Sequence, residues 1–290
     1  MGLSSNEIPI RLMIKTGADG TRLRFFRARA RNLAHTARFA KFHGSVRETK
    51  LMTNLVKPEL IFFDAAGTLF EVCGSVVDIY CRAAARYGLQ ADTAHIQHRF
   101  AQQFGQQPPL AFPATQTESA LQRLEYDWWR TLVWQVFAGQ DFPRFDEFFA
   151  EVFAYFRQPD AWRVFADVKP TLTALRAQGY RLAVLSNFDS RLDGLLQDLG
   201  LTPFFDAVHI SSRLGAAKPA PAAFHAALAT HNLAPHQVIH IGDSLREDLA
   251  GAQAAGLRAF LIDRQQIDVN DDNRLSSLTQ LIDRLIEREA

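Results

Sequence analysis

Cysteine is scarce in this chain. The 290 residues include two cysteines, Cys73 and Cys81, and their spacing fits neither a disulfide framework nor a metal-binding motif. No apolar run approaches the roughly 20 residues that a membrane-spanning helix needs. These absences predict no structural disulfides, no cysteine metal site and no membrane span. They are compatible with a reducing compartment, and we expect a cytoplasmic protein.

Acidic residues are scarce at the start of the chain. Residues 1–57 carry twelve Lys and Arg against three Asp and Glu, a net charge of +9, so the remainder carries −8 of the overall +1. An Arg-rich, acid-poor segment is typical of organelle targeting, although this one is not rich in serine. It also fits a basic arm for nucleic acid or an anionic membrane. We predict instead that residues 1–57 form a disordered extension, and we expect no nucleic-acid partner.

From Pro58 onward the composition is that of a globular protein, with 48% apolar and 22% charged residues over the whole chain. Short continuous apolar runs alternate with helical patterns, which predicts a Rossmann-like parallel sheet covered by helices on both faces. Ligands bind beyond the carboxyl ends of such strands. The predicted strands are 60–63, 181–187, 237–244 and 257–263, and the predicted helices are 171–179, 221–232 and 247–256.

Residues 74–162 interrupt this alternation. They contain no comparable strand but show helical periodicity with many aromatic residues, as in 126–137 and 145–156. Aromatic residues at helical spacing favour the core of a small bundle over a ligand-binding surface. We therefore predict a core formed by residues 58–73 and 163–290 and an inserted helical domain at 74–162, placed where it can act as a lid. The oligomeric state is not specified by the sequence.

Polar residues follow the predicted strands. Asp64 ends the first strand and is followed by Gly67 and Thr68, a pattern typical of a turn or helix cap and equally of a catalytic carboxylate. The hydroxyl and amide groups of Ser186 and Asn187 follow another strand and can hold phosphate oxygens.

Two further positions suit an anionic ligand and a metal ion. Lys218 precedes a helix that begins with proline, and a helix N-terminus favours anions, so this lysine can bind phosphate or simply be a solvated surface residue. Asp243 ends a strand and Asp248 follows one turn later. Hard carboxylate oxygens of this kind suit Mg²⁺, although Asp243 alone also fits a helix cap.

Four motifs occur in order along the chain: FFDAAGTLF (62–70), VLSNFD (184–189), AAKPAP (216–221) and HIGDSLREDLAGAQAAG (240–256). Together they resemble the haloacid dehalogenase superfamily, in the subgroup with a helical cap inserted after the first motif. The similarity covers about residues 58–268. The form of the first motif and the long final run are similar to those of the DREG-2-like hydrolases within that subgroup.

The resemblance implies a phosphatase that acts on a small phosphorylated metabolite through a phosphoaspartate at Asp64, with Mg²⁺ as cofactor. It implies that Ser186 binds the transferring phosphoryl group and that Lys218 neutralises charge on it. Positioning and electrostatics are most of what phosphoryl transfer requires. The implied metal ligands are Asp64, the backbone carbonyl of Ala66, Asp243 and Asp248. The implied substrate-binding residues are Thr68, Ser186, Asn187 and Lys218.

Ala66 departs from the pattern of the phosphatases in this superfamily. They carry an aspartate two residues after the nucleophile, which protonates the leaving oxygen and then activates water. General acid–base catalysis is worth about 10²–10⁴-fold. We therefore expect a phosphatase that is slow on poor leaving groups and better on activated esters such as acyl and aryl phosphates.

Other functions do not need that acid. Dehalogenation expels halide without a proton, but those enzymes do not depend on Mg²⁺ and lack the acidic last motif kept here as Asp243 and Asp248. Phosphonate cleavage uses an alanine at this position and a cap lysine, and this chain has no lysine between Lys57 and Lys169. A catalytically weak phosphometabolite- or protein-binding regulatory protein is the main alternative, and a 2-haloacid dehalogenase is the next.

Two residue pairs have competing interpretations. Asp189 and Arg191 either line the entrance to the site or take part in capping the following helix. His95 and His98 have a spacing that occurs in metal sites, but no further ligand is evident nearby. We favour a solvated helix face for the two histidines.

Overall fold

The computed structural model describes residues 57–114, 116–265 and 272–286. The prediction made for the basic segment therefore falls outside the described residues, except at Lys57. The elements in chain order are β1 (Leu60–Phe63), β2 (Phe70–Val72), α1 (Val76–Arg86), α2 (Thr93–Gln106), α3 (Glu118–Val136), α4 (Phe145–Tyr155), β3 (Trp162–Val164), α5 (Val168–Ala177), β4 (Arg181–Ser186), α6 (Arg191–Asp198), β5 (Ala207–Ile210), α7 (Ser211–Leu214), α8 (Pro221–His231), β6 (Val238–Gly242), α9 (Gly251–Ala254), β7 (Arg258–Ile262), β8 (Arg274–Leu275) and α10 (Gln280–Ile286).

Six strands form one sheet in the order β5-β4-β1-β6-β7-β8, and every neighbouring pair is parallel. Strand β1 lies between β4 and β6, with Phe63 in register with Val184 on one side and Ile241 on the other. A parallel sheet with helices in the crossovers is the predicted Rossmann-like class, which is thereby confirmed.

The sheet is apolar on both faces because successive side chains of a strand point to opposite sides. Leu60 and Phe62 of β1 belong to a cluster that includes Phe224 of α8. Ile61 and Phe63 belong to the other cluster, which includes Leu172 of α5. Helices cover both faces, and this is why β1 reads as an unbroken apolar run.

Helices α1–α4 lie in the chain between β2 and β3, which pair with each other antiparallel. These three-residue strands are too short to show a pattern in the sequence. The helices pack through aromatic rings, as predicted for this region: the Tyr126 ring lies 4.9 Å from the rings of both Phe149 and Phe153. Within the described ranges, no helix combines the length and the apolar character that crossing a membrane requires.

The helix predicted at 247–256 does not begin as an α-helix. Residues Leu245–Ala250 form a π-helical turn that leads into α9, and the amide of Leu249 donates to the carbonyl of Ser244 at 3.1 Å. The wider turn accompanies a bond from the Ser244 amide to Asp248 Oδ2 at 2.9 Å. Single π-turns of this kind occur often at functional sites.

Candidate active site

The polar residues of the first, second and last motifs lie side by side because they follow neighbouring strands. Asp64 comes directly after β1, Ser186 is the last residue of β4, and Asp243 comes directly after β6. The Asp64 amide still donates to the carbonyl of Ile241 at 2.8 Å, which extends the pairing of β1 with β6 by one residue. The sheet therefore presents these side chains at one edge, the one where parallel α/β folds bind ligands.

Lys218 contacts two of the acids. Its Nζ atom lies 2.7 Å from Asp64 Oδ1 and 2.5 Å from Asp248 Oδ1, and all three side chains are buried. Burial lowers the pKa of a lysine, but here the attraction of Asp248 and Asp64 outweighs it and raises the pKa of Lys218. The lysine is therefore a permanent cation within the site.

Asp248 is the acid with the most partners. Besides Lys218, His240 of β6 contacts its Oδ1 atom through Nε2 at 2.8 Å, and the Ser244 amide donates to its Oδ2 atom. Burial alone would raise the pKa of Asp248, but Lys218 and His240 hold it below its usual range. His240 was not predicted from the sequence, although a histidine inside an apolar strand run is an unusual feature. It fixes the orientation of a carboxylate within the acidic cluster.

Asp64, Asp243 and Asp248 form the acidic cluster, in which one carboxylate oxygen from each residue lies within 4.8 Å of the others. Burial raises the pKa of Asp64, with Lys218 opposing and Asp248 adding to the rise. Burial, Asp64 and Asp248 raise the pKa of Asp243 well above its usual value. The Oδ1 atom of Asp243 is buried and has no hydrogen-bond partner among the described residues.

The donor set of the acidic cluster fits a divalent cation. When all three carboxylates are ionised, the one ammonium of Lys218 leaves two negative charges uncompensated, and a divalent cation supplies the charge that would balance them and oppose the raised pKa of Asp243. Carboxylate oxygens are the ligands that Mg²⁺ prefers, and the unpartnered Asp243 oxygen is available as one of them.

The acidic cluster occupies the space that side chains would fill at two glycines, Gly67 and Gly242. At Gly67, with a φ of 88°, an added Cβ atom would lie 2.3 Å from Asp243 Oδ2. At Gly242 an added Cβ atom would lie 2.0 Å from the Asp248 carboxyl carbon. The carboxylates therefore pack directly on glycine backbone, and side chains at these positions would displace both acids.

Asn187 holds the backbone of Lys218 with its side-chain amide. The amide oxygen accepts from the Lys218 N–H at 2.8 Å, and Nδ2 donates to the Lys218 carbonyl at 2.8 Å. Nδ2 also donates to Glu247 Oε2 at 3.2 Å. Burial, together with Asp248 and Asp64, raises the pKa of Glu247 against the opposing attraction of Lys218. The two donors of the Asn187 amide are thus both engaged within the protein.

The remaining predicted residues are also buried at this edge. The Ser186 side chain makes a hydrogen bond that lowers the pKa of Asp64. Thr68 is fully buried, and its hydroxyl oxygen has no partner among the described residues. Ala66 is 6% exposed and forms an isolated bridge with Phe70.

Asp189 and Arg191 form a buried ion pair immediately after the Ser186–Asn187 segment. Arg191 donates through Nε to Asp189 Oδ1 at 2.8 Å and through a terminal nitrogen to Oδ2 at 2.6 Å. Burial alone would raise the pKa of Asp189, but Arg191 outweighs it and lowers the pKa below the usual value. The Asp189 side chain also accepts from the Arg191 amide, so capping and ion pairing occur together.

The helical insertion contacts this pair directly. Trp129 of α3 donates through Nε1 to Asp189 Oδ2 at 2.7 Å. Glu125 of α3 accepts from the Ser190 amide at 3.0 Å and from the Ser190 hydroxyl at 2.5 Å. His95 and His98, by contrast, are exposed on α2 and belong to no group of three or more metal-ligating residues among the described residues.

Comparison with known proteins identifies the family of this chain. The sequence profile of the haloacid dehalogenase-like hydrolases matches residues 58–256. The haloacid dehalogenase-like hydrolase domain-containing protein 3 of Danio rerio is 31% identical over 234 residues, which cover 78% of this chain and 95% of the relative. The phosphoserine phosphatase of Thermus thermophilus is 31% identical over 133 residues, 44% of this chain and 53% of the relative.

Solved structures of the same fold include both phosphatases and dehalogenases. A HAD phosphatase from Thermococcus onnurineus superposes with a TM-score of 0.56 at 22% identity, covering 78% of this chain and 97% of the other. The L-2-haloacid dehalogenase of Xanthobacter autotrophicus superposes with a TM-score of 0.58 at 19% identity, covering 80% and 100%. At these identities the structures show the fold. The matched profile, the relatives and the fold together establish that this chain belongs to the haloacid dehalogenase-like hydrolase family.

Proposed function

We propose that this hydrolase is a Mg²⁺-dependent phosphatase that acts on a small phosphorylated compound through a phosphoaspartate at Asp64. The observation that carries the proposal is the acidic cluster beside Lys218, in which a buried carboxylate oxygen of Asp243 has no partner within the described ranges. A reaction that needs no metal gains nothing from holding three buried acids against one cation, because buried unpaired charge is costly.

In the first step, a carboxylate oxygen of Asp64 attacks phosphorus, the bond from phosphorus to the ester oxygen breaks, and that oxygen leaves with the electron pair. Lys218 is fixed 2.7 Å from Asp64 Oδ1 and stabilises the negative charge of the transferring group, while Ser186 orients it. Thr68 and Asn187 complete the proposed substrate-binding set, with Asn187 acting through the backbone of Lys218. Fixed charges of this kind need no reorganisation during the reaction.

In the second step, water attacks the phosphorus of the phosphoaspartate, the bond to the Asp64 oxygen breaks, and the carboxylate is restored. The proton that the water loses is balanced by the one that the leaving oxygen takes from solvent, since Ala66 has none to give. Mg²⁺ held by Asp64, the Ala66 carbonyl, Asp243 and Asp248 would supply positive charge toward the phosphoryl oxygens.

We also propose that residues 58–73 and 163–290 act as the catalytic core and residues 74–162 as a cap over it. The hydrogen bonds from Trp129 to Asp189 and from Ser190 to Glu125 support this placement of the cap, because they join the helical insertion to the segment that follows Ser186.

The two free cysteines, Cys73 and Cys81, fit a reducing, cytoplasmic setting.

A substrate panel with two variants tests the proposal. Acetyl phosphate, 4-nitrophenyl phosphate and 2-chloropropionate are assayed with Mg²⁺ and with a chelator, using the wild-type chain, Asp64→Asn and Asp243→Asn. We expect turnover of both phosphates only with Mg²⁺, its loss in Asp64→Asn, and a thermal stabilisation by Mg²⁺ that is absent in Asp243→Asn.

Two results would contradict the proposal. Chloride release that is indifferent to Mg²⁺ would identify a dehalogenase. Binding of a phosphorylated compound by wild-type chain and by Asp64→Asn alike, without turnover of either phosphate, would identify a binding protein.

A further inference from the structure

The helical insertion forms a hydrogen bond with each of the three residues 189–191. Trp129 of α3 donates to the first of them, and Glu125 of α3 accepts from the second. The third donates to the Phe153 carbonyl of α4 at 3.3 Å. Residues 187–190 are the whole connection between β4 and α6, here called the β4–α6 loop. The insertion therefore holds the end of this loop that leads into α6.

The other end of the β4–α6 loop holds the cation of the active site. Asn187, the first residue of the loop, bonds both the N–H and the carbonyl of Lys218 at 2.8 Å. Lys218 in turn contacts Asp64 at 2.7 Å. Asn187 and Ser190 are three residues apart, so at most about 10 Å of chain separates them. A displacement of Ser190 is therefore transmitted within one short loop to the residue that fixes Lys218.

Glu125 is a buried carboxylate that has no cation beside it. The residue is 2% exposed, and within the described ranges it forms no ion pair with a Lys, Arg or His. Burial raises the pKa of Glu125 against the opposing hydrogen bonds from Ser190, and Asp189 adds to the rise. An apolar side chain would join the insertion to the core at lower cost, because a buried charge without a cation is unfavourable. The carboxylate supplies instead two directed hydrogen bonds, from the amide and the hydroxyl of Ser190.

We propose that Glu125 is a positioning residue for the phosphatase reaction. By holding Ser190 it fixes the β4–α6 loop, and through Asn187 it fixes Lys218 against Asp64. This inference rests on the proposed phosphatase function, and it makes the helical insertion part of the catalytic geometry without any contact between Glu125 and the substrate. Misplacement of a catalytic group by about 1 Å can lower a rate by about 100-fold, so loss of these hydrogen bonds should be visible in kcat.

Two substitutions of Glu125 test the hydrogen bonds to Ser190. The kcat for acetyl phosphate is measured with Mg²⁺ and the full chain. Glu125→Ala removes both bonds, and we expect it to lower kcat by about 10-fold to 100-fold. Glu125→Gln can still accept from the Ser190 amide and can donate to its hydroxyl, so this variant should keep most of the wild-type kcat. A kcat for Glu125→Gln as low as that for Glu125→Ala would show that the two hydrogen bonds are not the cause.

Glu118 provides the matched control on the same helix. It contacts Arg213 of the core at 3.5 Å, but both side chains of this pair are exposed, and exposed ion pairs contribute little. Glu118→Ala should therefore leave kcat unchanged. A fall in kcat as large as that in Glu125→Ala would show that losing any contact between the insertion and the core has the same effect, and it would overturn the role assigned to Glu125.

A double variant separates positioning from a general loss of stability. If Glu125 acts through Asn187, its removal should change kcat little once Asn187→Ala has already released the backbone of Lys218. The double variant Glu125→Ala/Asn187→Ala should therefore have a kcat close to that of Asn187→Ala, a non-additive result typical of residues in one hydrogen-bond network. Effects of the two substitutions that multiply, or a wild-type kcat in Asn187→Ala, would overturn the inference.

Ser190→Ala replaces Glu125→Ala as the test if the latter does not fold. It removes the hydroxyl bond alone and should lower kcat in the same direction by a smaller factor. If the wild-type chain shows Asp64-dependent turnover of acetyl phosphate and the variant used keeps the wild-type kcat, the positioning inference alone is overturned. If the wild-type chain shows no Asp64-dependent turnover, the phosphatase proposal fails and this inference fails with it.

Discussion

Lys218 Nζ lies 2.7 Å from Asp64 Oδ1 although 154 residues separate the two in the chain. The contact brings the cation of the third motif onto the carboxylate of the first, and the same nitrogen reaches Asp248. One buried ammonium therefore neutralises part of the charge of the acidic cluster, and the remaining charge is what the proposed Mg²⁺ would balance.

Replacing Lys218 with methionine should destabilise the fold. The substitution keeps a side chain of similar length but leaves Asp64 and Asp248 as buried carboxylates without their cation. Removing one partner of a buried pair costs about 3–5 kcal/mol. We expect a loss of this size in urea denaturation in the absence of Mg²⁺, together with loss of phosphatase turnover.

A double variant provides the control. Adding Asp248→Asn to Lys218→Met removes one of the two carboxylates left unpaired, so the double variant should be more stable than the single one. Unfolding free energies of wild type and Lys218→Met that agree within about 0.5 kcal/mol would show that the lysine does not stabilise the acidic cluster.

Gly67 and Gly74 form a matched pair for testing the space around Asp243. Their φ angles are 88° and 89°, so alanine is strained equally at both. An added Cβ atom meets Asp243 Oδ2 at 2.3 Å at Gly67 but nothing within 4 Å at Gly74. We expect Gly74→Ala to cost about 1–2 kcal/mol and Gly67→Ala to cost more and to weaken the thermal stabilisation by Mg²⁺. Equal effects of the two substitutions on stability and on Mg²⁺ binding would contradict this.

Ala66→Asp should restore a general acid to the site. We expect turnover of phosphate esters with poor leaving groups, such as glycerol phosphate, to rise by about 10²–10⁴-fold, and the dependence of kcat on leaving-group acidity to flatten. Ala66→Asn has the same shape without an ionisable proton and should not produce the gain. An unchanged dependence in Ala66→Asp would show that this position does not face the leaving oxygen.

The contact between buried His209 and half-buried His231 predicts acid sensitivity. Their Nε2 atoms lie 2.9 Å apart, and burial together with the charge of His231 lowers the pKa of His209 to about 4. Arg181 can only donate, and it contacts His231 Nδ1 at 3.2 Å, so the proton of neutral His231 lies on Nε2 and is donated to His209. Asp206, which pairs with Arg181, also faces this group.

The direction of the pH dependence follows from the lowered pKa of His209. Between the unfolded value near pH 6.5 and the folded value near pH 4, the unfolded chain takes up a proton that folded His209 does not, so stability falls as the pH falls. Across the whole pH range between these two pKa values, the free energy of unfolding falls by about 3 kcal/mol. Urea denaturation at a series of pH values should show a smaller acid loss in His209→Gln, which can still accept from His231. Identical pH profiles for the two proteins would exclude this cause.

Several features of the site were predictable because they are local in the sequence. An apolar run followed at once by a polar residue marks the end of a parallel strand, and Asp64, Ser186 and Asp243 each follow this pattern. Their convergence then follows from topology, since β4, β1 and β6 are neighbours in one sheet. The two short strands β2 and β3 could not be predicted, since three residues are too few to show a period of two.

Other features depend on partners that lie far apart in the chain. The amide of Asn187 was predicted to bind substrate, yet both of its donors are used within the protein, one of them on the backbone of Lys218. His240 was overlooked because a buried histidine next to an aspartate is evident only once β6 and the π-helical turn are packed together. Trp129 and Asp189 are 60 residues apart and meet only because the helical insertion folds back onto the core.

The sequence by itself determined the fold class and the family, and it predicted which strand-end residues carry the chemistry, because hydrophobic periodicity and strand-end motifs are contained in short stretches of chain. Only the tertiary structure decided how the charges are paired. Lys218 contacts two acids, Asp189 pairs with Arg191, and one Asp243 oxygen has no partner in the part of the chain that the structure describes. Those pairings depend on burial and on distances of a few ångströms between distant segments.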